Sequence, residues 1–142
     1  MRIVLLCILA LACVACPQRY ATRTVAVVGF TGDAQASANI STNSSEVQTA
    51  LKIIDGVLAS HGFAPTMDPN LTVSGALATY AKSTPEGLTA IDPCPSVSLK
   101  DGRLVFLLAE RGGLNTDSKR ILRQIRTELK SHYGTDRIIM GH

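Results

Sequence analysis

The first stretch of the chain is continuously apolar, from Ile3 to Cys16, and follows a single charge at Arg2. A short positive region, an apolar core of about 7 to 15 residues and small residues at the cleavage point together make an export signal. The run is shorter than the roughly 20 apolar residues that a membrane-spanning helix needs. We therefore interpret residues 1–15 as a signal peptide that is removed, and we expect the mature protein to be exported.

The next apolar positions predict a strand, a polar loop and a helix. Thr22 to Phe30 is rich in β-branched residues and is apolar on both faces, which is typical of a central strand. Residues 31–45 are mostly small and polar, and we expect them to form a loop. Ser44 or Ser45 can cap a helix that continues to about His61 and ends at Gly62. The apolar residues at helical spacing on one face of it are Val47, Ala50, Leu51, Ile54, Val57 and Leu58.

Two further strands and a hairpin are predicted in the middle of the chain. We expect a strand over Leu71–Ala81, whose residues on one side are Leu71, Val73, Leu77 and Thr79. Ser83–Pro95 has three of the six prolines and is predicted to be a loop. Asp101-Gly102 then separates the apolar runs Val97–Leu99 and Leu104–Ala109, and Asp-Gly between two such runs is a strong hairpin signal.

A second helix is predicted from Thr116 or Asp117 to about Tyr133, with Gly134 as its cap. A short strand over Arg137–Met140 follows it. Two helices with one apolar stripe each can cover one face of a sheet. The sequence therefore predicts an α+β fold, a two-layer sandwich with both helices on one face of a mostly antiparallel sheet, in a single domain over residues 22–142.

The end of the apolar run resembles a bacterial lipoprotein signal, because Val14 and Ala15 precede Cys16. It departs from that pattern at Cys13, where Leu is usual. The resemblance implies that Cys16 is acylated and becomes the mature N-terminus, with residues 16–21 as a tether to the membrane, on the periplasmic face of the outer membrane. The acyl chains then supply the attachment, and the domain needs no membrane-binding surface of its own. The alternative is ordinary secretion, with cleavage after Ala12 or Ala15.

Composition excludes some classes of partner. The formal net charge of +3 falls to +2 when Arg2 is removed, which is too small to indicate a nucleic-acid partner. With no Trp, three Tyr and three Phe, a surface for stacking bases or sugars is not expected. No His, Cys, Asp or Glu pair has metal-ligand spacing within one element. We therefore expect no cofactor and no metal.

Candidate catalytic residues are few. His61 and His132 each lie at the end of a predicted helix, where a cation opposes the helix dipole, so a capping role is favoured over catalysis. His142 is the last residue. Cys94, between Pro93 and Pro95, is a candidate nucleophile, but no base is adjacent to it and an inert thiol is the favoured interpretation.

One charge pattern on the second predicted helix suggests a binding surface. Four cations lie in a narrow row beside its apolar face: Lys119, Arg123, Arg126 and Lys130. A solvated helix face explains this row, since long basic side chains often cover the flanks of an apolar stripe. The functional alternative is contact with an anionic partner, either lipid headgroups or an acidic protein surface.

The organisation of the first half resembles small periplasmic lipoprotein domains. The residues concerned are Thr24–Phe30, a polar loop, a helix, His61-Gly62-Phe63 and a strand through Val73-Ser74-Gly75. The similar proteins are the curli-secretion lipoprotein, the N-terminal domain of the Tol-system propeller protein, and lipoprotein activators of cell-wall synthases. This resemblance implies a non-enzymatic scaffolding or assembly role with an envelope protein partner. The alternative is a periplasmic small-ligand carrier or enzyme that uses the Cys94 loop.

Overall fold

The computed structural model describes residues 20–29, 44–87, 89–90 and 92–139. The predicted signal peptide, Cys16, the polar segment 30–43 and His142 lie outside the described residues.

Both predicted helices are present. Helix α1 is Ser45–Ser60 and helix α2 is Thr116–Tyr133. Each helix has an N-cap residue whose side chain accepts a hydrogen bond from a backbone amide of the first turn. Ser44 Oγ accepts from Val47 N at 3.2 Å, and Asn115 Oδ1 accepts from Ser118 N at 2.8 Å. Gly62 and Gly134, with φ of +82° and +86°, leave the helical conformation at the two C-termini.

The strands form one antiparallel sheet. Their bounds are β1 Tyr20–Gly29, β2 Phe63–Pro65, β3 Ala78–Ser83, β4 Thr89–Ala90, β5 Cys94–Lys100, β6 Arg103–Arg111 and β7 Ile138–Ile139. The order across the sheet is β2-β3-β5-β6-β1-β7, with β4 paired to β3. Every described pairing is antiparallel. The α+β prediction, with helices packed against an antiparallel sheet, is confirmed.

The β5–β6 hairpin has the predicted turn. Lys100 pairs with Arg103, and the two residues between them, Asp101 and Gly102, have φ of 50° and 68°. Positive φ at both central positions defines the type I′ turn, whose twist matches that of the flanking strands.

The strand predicted over Leu71–Ala81 is wrong in its first seven residues. β3 begins at Ala78, and the residues before it make turns around Asp68, whose carboxylate accepts from Asn70 N at 2.9 Å and whose carbonyl accepts from Leu71 N at 3.0 Å. Val73 is 38% exposed, so the apolar alternation does not mark a buried face here. The loop predicted over Ser83–Pro95 is also too long, because it includes β4 and the first residues of β5.

The core lies between the helices and one face of the sheet. Leu104, Phe106 and Leu108 of β6 alternate with less buried residues and pack with the apolar faces of both helices. The fully buried helix residues include Val47, Ala50, Ile54, Leu58, Ile125 and Leu129. Neither helix in the described part of the chain is long and apolar enough to cross a membrane.

Candidate functional site

The outer flank of α2 has the four cations that the sequence singled out. We call Lys119, Arg123, Arg126 and Lys130 the basic flank. At about 100° per residue they fall within roughly 60° of one another and extend over about three turns. Lys119 and Arg123 are exposed, whereas Arg126 and Lys130 are half-buried beside the apolar face.

The basic flank is turned away from α1. Gln124 and Glu128 lie on the other side of α2, where they line a groove with Lys52 and Gly56 of α1. None of the four cations makes an ion pair with a residue that the structure describes. The neighbouring Arg120, in contrast, lies 3.4 Å from the Asp117 carboxylate. The flank is thus a row of positive charge without a counter-charge in the described domain.

Cys94 is the first residue of β5 and is half-buried. Its register partner is Ala109, and both alternate with residues of the core face, so the thiol lies on the sheet face away from the helices. Burial and, to a lesser extent, the Asp92 carboxylate raise the pKa of the Cys94 thiol. The thiol is therefore protonated at neutral pH, and His61 and His132, which belong to the helix layer, are on the other side of the sheet.

The two described histidines make structural contacts. His61 is the C-terminal cap of α1, and its Nε2 lies 3.0 Å from Gln124 Oε1, which links the end of α1 to α2. The His132 ring lies edge-on to the Tyr133 ring at 4.6 Å between centroids. Within the described ranges, no group of three His, Cys, Asp or Glu side chains is arranged to hold a metal ion.

A polar cleft that the sequence did not predict lies where the end of α1 meets the start of α2. We call it the α2 N-terminal cleft; its volume is about 490 Å³. It is lined by Ser60, His61, Gly62, Phe63, Lys82, Pro93, Asn115, Asp117, Ser118, Arg120 and Ile121. Pro93 of the proline-rich loop takes part, but Cys94 lines none of the described clefts.

Two buried polar residues lie at the start of α2 beside this cleft. Glu110, 7% exposed, accepts from Asn115 N at 2.7 Å and from Asn115 Nδ2 at 2.6 Å, which fixes the helix cap. Ser118 is 0% exposed, and its Oγ has no hydrogen-bond partner. Both interrupt an apolar pattern, since Glu110 follows Leu108 on the core face and Ser118 occupies a buried position on the apolar side of α2. A polar residue at a core position was the available signal for this site.

The chain matches no known protein-family model, and no curated protein or solved structure is found to be similar to it.

Proposed function

We propose that this protein is a non-enzymatic bacterial envelope lipoprotein whose domain binds an acidic surface of an envelope protein through the basic flank. The observation that supports this most directly is that Lys119, Arg123, Arg126 and Lys130 have no ion-pair partner among the described residues. Like charges three or four positions apart destabilise a helix by about 0.2 to 0.5 kcal/mol per pair. An acidic partner would offset that cost.

A protein partner is favoured over lipid headgroups by the way the chain is expected to reach the membrane. If Cys16 is acylated, several acyl chains make the attachment stable, and further attraction to headgroups adds little. A row of cations beside half-buried apolar residues such as Tyr133 fits a protein interface, where charge complementarity selects the partner and speeds the encounter.

The enzyme alternative has less support. Cys94 would need to be a thiolate to act as a nucleophile, and the raised pKa of its thiol opposes this. Its position across the sheet from His61 and His132 also leaves it without a nearby imidazole base in the part of the chain that the structure describes. For these reasons we assign no catalytic residue.

The lipid anchor is tested by intact-mass measurement on protein extracted from membranes. We expect the mature chain to begin at an acylated Cys16, and Cys16→Ser to release the protein in soluble form. An unmodified N-terminus at Cys13 or at Cys16 would reject the anchor and leave the binding proposal to be judged separately.

The binding surface is tested by capture from solubilised envelopes with the parent protein and the Arg123→Glu/Arg126→Glu variant. The parent is expected to retain an acidic envelope protein that the variant loses. Lys52→Glu/Lys100→Glu changes the net charge equally but lies outside the basic flank, and it should capture as the parent does. Equal capture by all three proteins would reject the basic flank as the binding surface.

A further inference from the structure

We infer that the acidic partner of the basic flank binds as an extended segment that adds a strand to β1, an inference that rests on the proposed function. Among the described residues, β7 pairs with β1 at Val27 and Val28 only. A register shift between Thr24 and Ala26 separates that end of β1 from the rest of the strand. Residues 20–24, which we call the open edge, have β6 on one side and no described strand on the other.

The pairing of β5 with β6 shows which backbone groups face the open edge. The Val97 carbonyl accepts from Leu77 N at 2.7 Å, on the side away from β6, so Val97 and Phe106 are a non-hydrogen-bonded pair. The backbone N–H and C=O groups of Phe106 therefore point toward β1, and those of β6 alternate from there. Followed across the register, this alternation turns the N–H and C=O groups of Thr22 and Thr24 away from β6.

The basic flank lies along the same side of the domain. α2 packs over β1 and β7, and α1 packs over β2 at the other end of the sheet order. Because the flank is turned away from α1, it overhangs the side of the sheet that ends with β1 and β7. α2 begins soon after β6 ends beside Tyr20, and it ends shortly before β7. It therefore follows β1 in the same direction, with Lys119 and Arg123 beside the open edge.

The spacing of these two cations fits an extended acidic segment. Lys119 and Arg123 are about one helical turn apart, a rise of about 6 Å along α2. Side chains on one face of a strand are two residues apart, which is about 6.6 Å. Acidic residues at alternate positions of an added strand can therefore pair with both cations. In such complexes the backbone hydrogen bonds give affinity and the alternate side chains give specificity.

The test is calorimetric titration of the full chain, in an uncharged detergent and at low salt, with the capped peptide Thr-Glu-Thr-Glu-Thr-Glu-Thr. We expect saturable binding of one peptide per chain. Two further peptides have N-methyl groups, one on its glutamates and the other on its threonines, so that each lacks the amide donors along one side of the extended peptide. One of them should bind at least about tenfold more weakly, because its lost donors face β1, and the other within about twofold of the unmodified peptide.

Thr22→Pro removes a donor from the open edge itself. Proline is tolerated on a strand where its missing N–H faces away from the neighbouring strand, so the melting temperature should change little. Thr22→Pro should bind the peptide at least about tenfold more weakly than Thr22→Ala, which loses the same side chain but keeps the amide. Hydrogen exchange measured by NMR needs no variant: the Thr22 amide should exchange rapidly in the free protein and slowly with the peptide bound.

Strand addition is overturned if the parent does not bind the peptide, or if all three peptides bind equally, because charge alone would then hold the segment. It is also overturned if the Thr22 amide exchanges slowly in the free protein, since this chain or a second copy would then cover the edge. Lys119→Glu/Arg123→Glu tests the proposed function separately and should weaken binding of the unmodified peptide. Unchanged binding by this variant would reject the basic flank, whereas equal binding of the three peptides would reject only the added strand.

Discussion

Helices α1 and α2 pack on the same face of the sheet, yet they use their charged residues differently. Glu46 of α1 forms a bidentate ion pair with Arg137, whose two terminal guanidinium nitrogens lie 3.0 and 3.3 Å from the Glu46 carboxylate oxygens. Asp55 accepts a hydrogen bond from the buried Tyr80 hydroxyl. On α2, the four cations of the basic flank have no ion-pair partner among the described residues.

This difference separates residues that hold the domain together from residues that are available to a partner. Changes to the acidic groups of α1 should reduce stability because each has an intramolecular contact to lose. Changes to the basic flank of α2 should leave stability almost unchanged and alter association instead. In contrast, substitutions in the apolar faces of the two helices should reduce the unfolding free energy by similar amounts.

The largest effect is expected where the helices are alike. Ile54 of α1 and Ile125 of α2 are both 0% exposed, and replacing either by Ala should cost about 2 to 5 kcal/mol in unfolding free energy, because a cavity is left in the core. Denaturant unfolding of the two variants measures this. A loss below about 1 kcal/mol at only one of the two sites would show that the helices do not share one core.

Tyr80→Phe should have the next largest effect, a loss of about 1.5 to 3 kcal/mol, because it removes a hydrogen bond to a carboxylate. Burial, together with the Asp55 carboxylate, raises the pKa of Tyr80, so the fold favours the neutral phenol. This contribution is fully present below the unfolded-state value of about 10 and is lost as pH rises above it. Stability measured from pH 8 to 11 should fall more steeply in the parent than in the variant, and equal slopes would contradict this.

Removing one charged side chain from each helix compares how much the charges of the two helices contribute to stability. Glu46→Gln should cost at most about 1 kcal/mol, because the pair with Arg137 is partly exposed and surface ion pairs are weak. Arg123→Gln should change stability by less than about 0.5 kcal/mol. Thermal unfolding of both variants checks the ordering, and a greater loss from Arg123→Gln would mean that the flank stabilises the domain itself.

The smallest effect is expected at Cys94. Its half-buried, protonated thiol has no assigned role, so Cys94→Ser should change stability by less than about 1 kcal/mol and leave binding intact. Loss of biological function with normal unfolding would instead restore the enzyme alternative.

The elements that the sequence predicted well are those whose pattern and end signals agree. In α1, a serine caps the start of the helix, an apolar face follows, and a glycine lies just after its end, all as predicted. Asp101-Gly102 fixes the hairpin by its backbone conformation. The segment before β3 was mistaken for a strand because Leu71 and Val73 alternate in a stretch whose backbone is held by Asp68 in turns. Side-chain alternation could not reveal those local hydrogen bonds.

The two candidate sites also differ in whether the sequence pattern could locate them. The basic flank follows from helical spacing within one element, and the sequence therefore located it. The α2 N-terminal cleft depends on how His61, Lys82 and Ser118 meet in three dimensions, which spacing along the chain does not encode. Glu110 and Ser118, two polar residues at core positions, were the local signs of it.

The central claim is that the basic flank binds an acidic envelope protein. The most direct test is the dissociation constant of the captured partner for the parent and for Arg123→Glu/Arg126→Glu, measured at low and at physiological salt. We predict at least about tenfold weaker binding by the variant at low salt, an unchanged melting temperature, and weaker binding by the parent as salt rises. Binding by the variant within about twofold of the parent at low salt would show that the flank is only a solvated helix face.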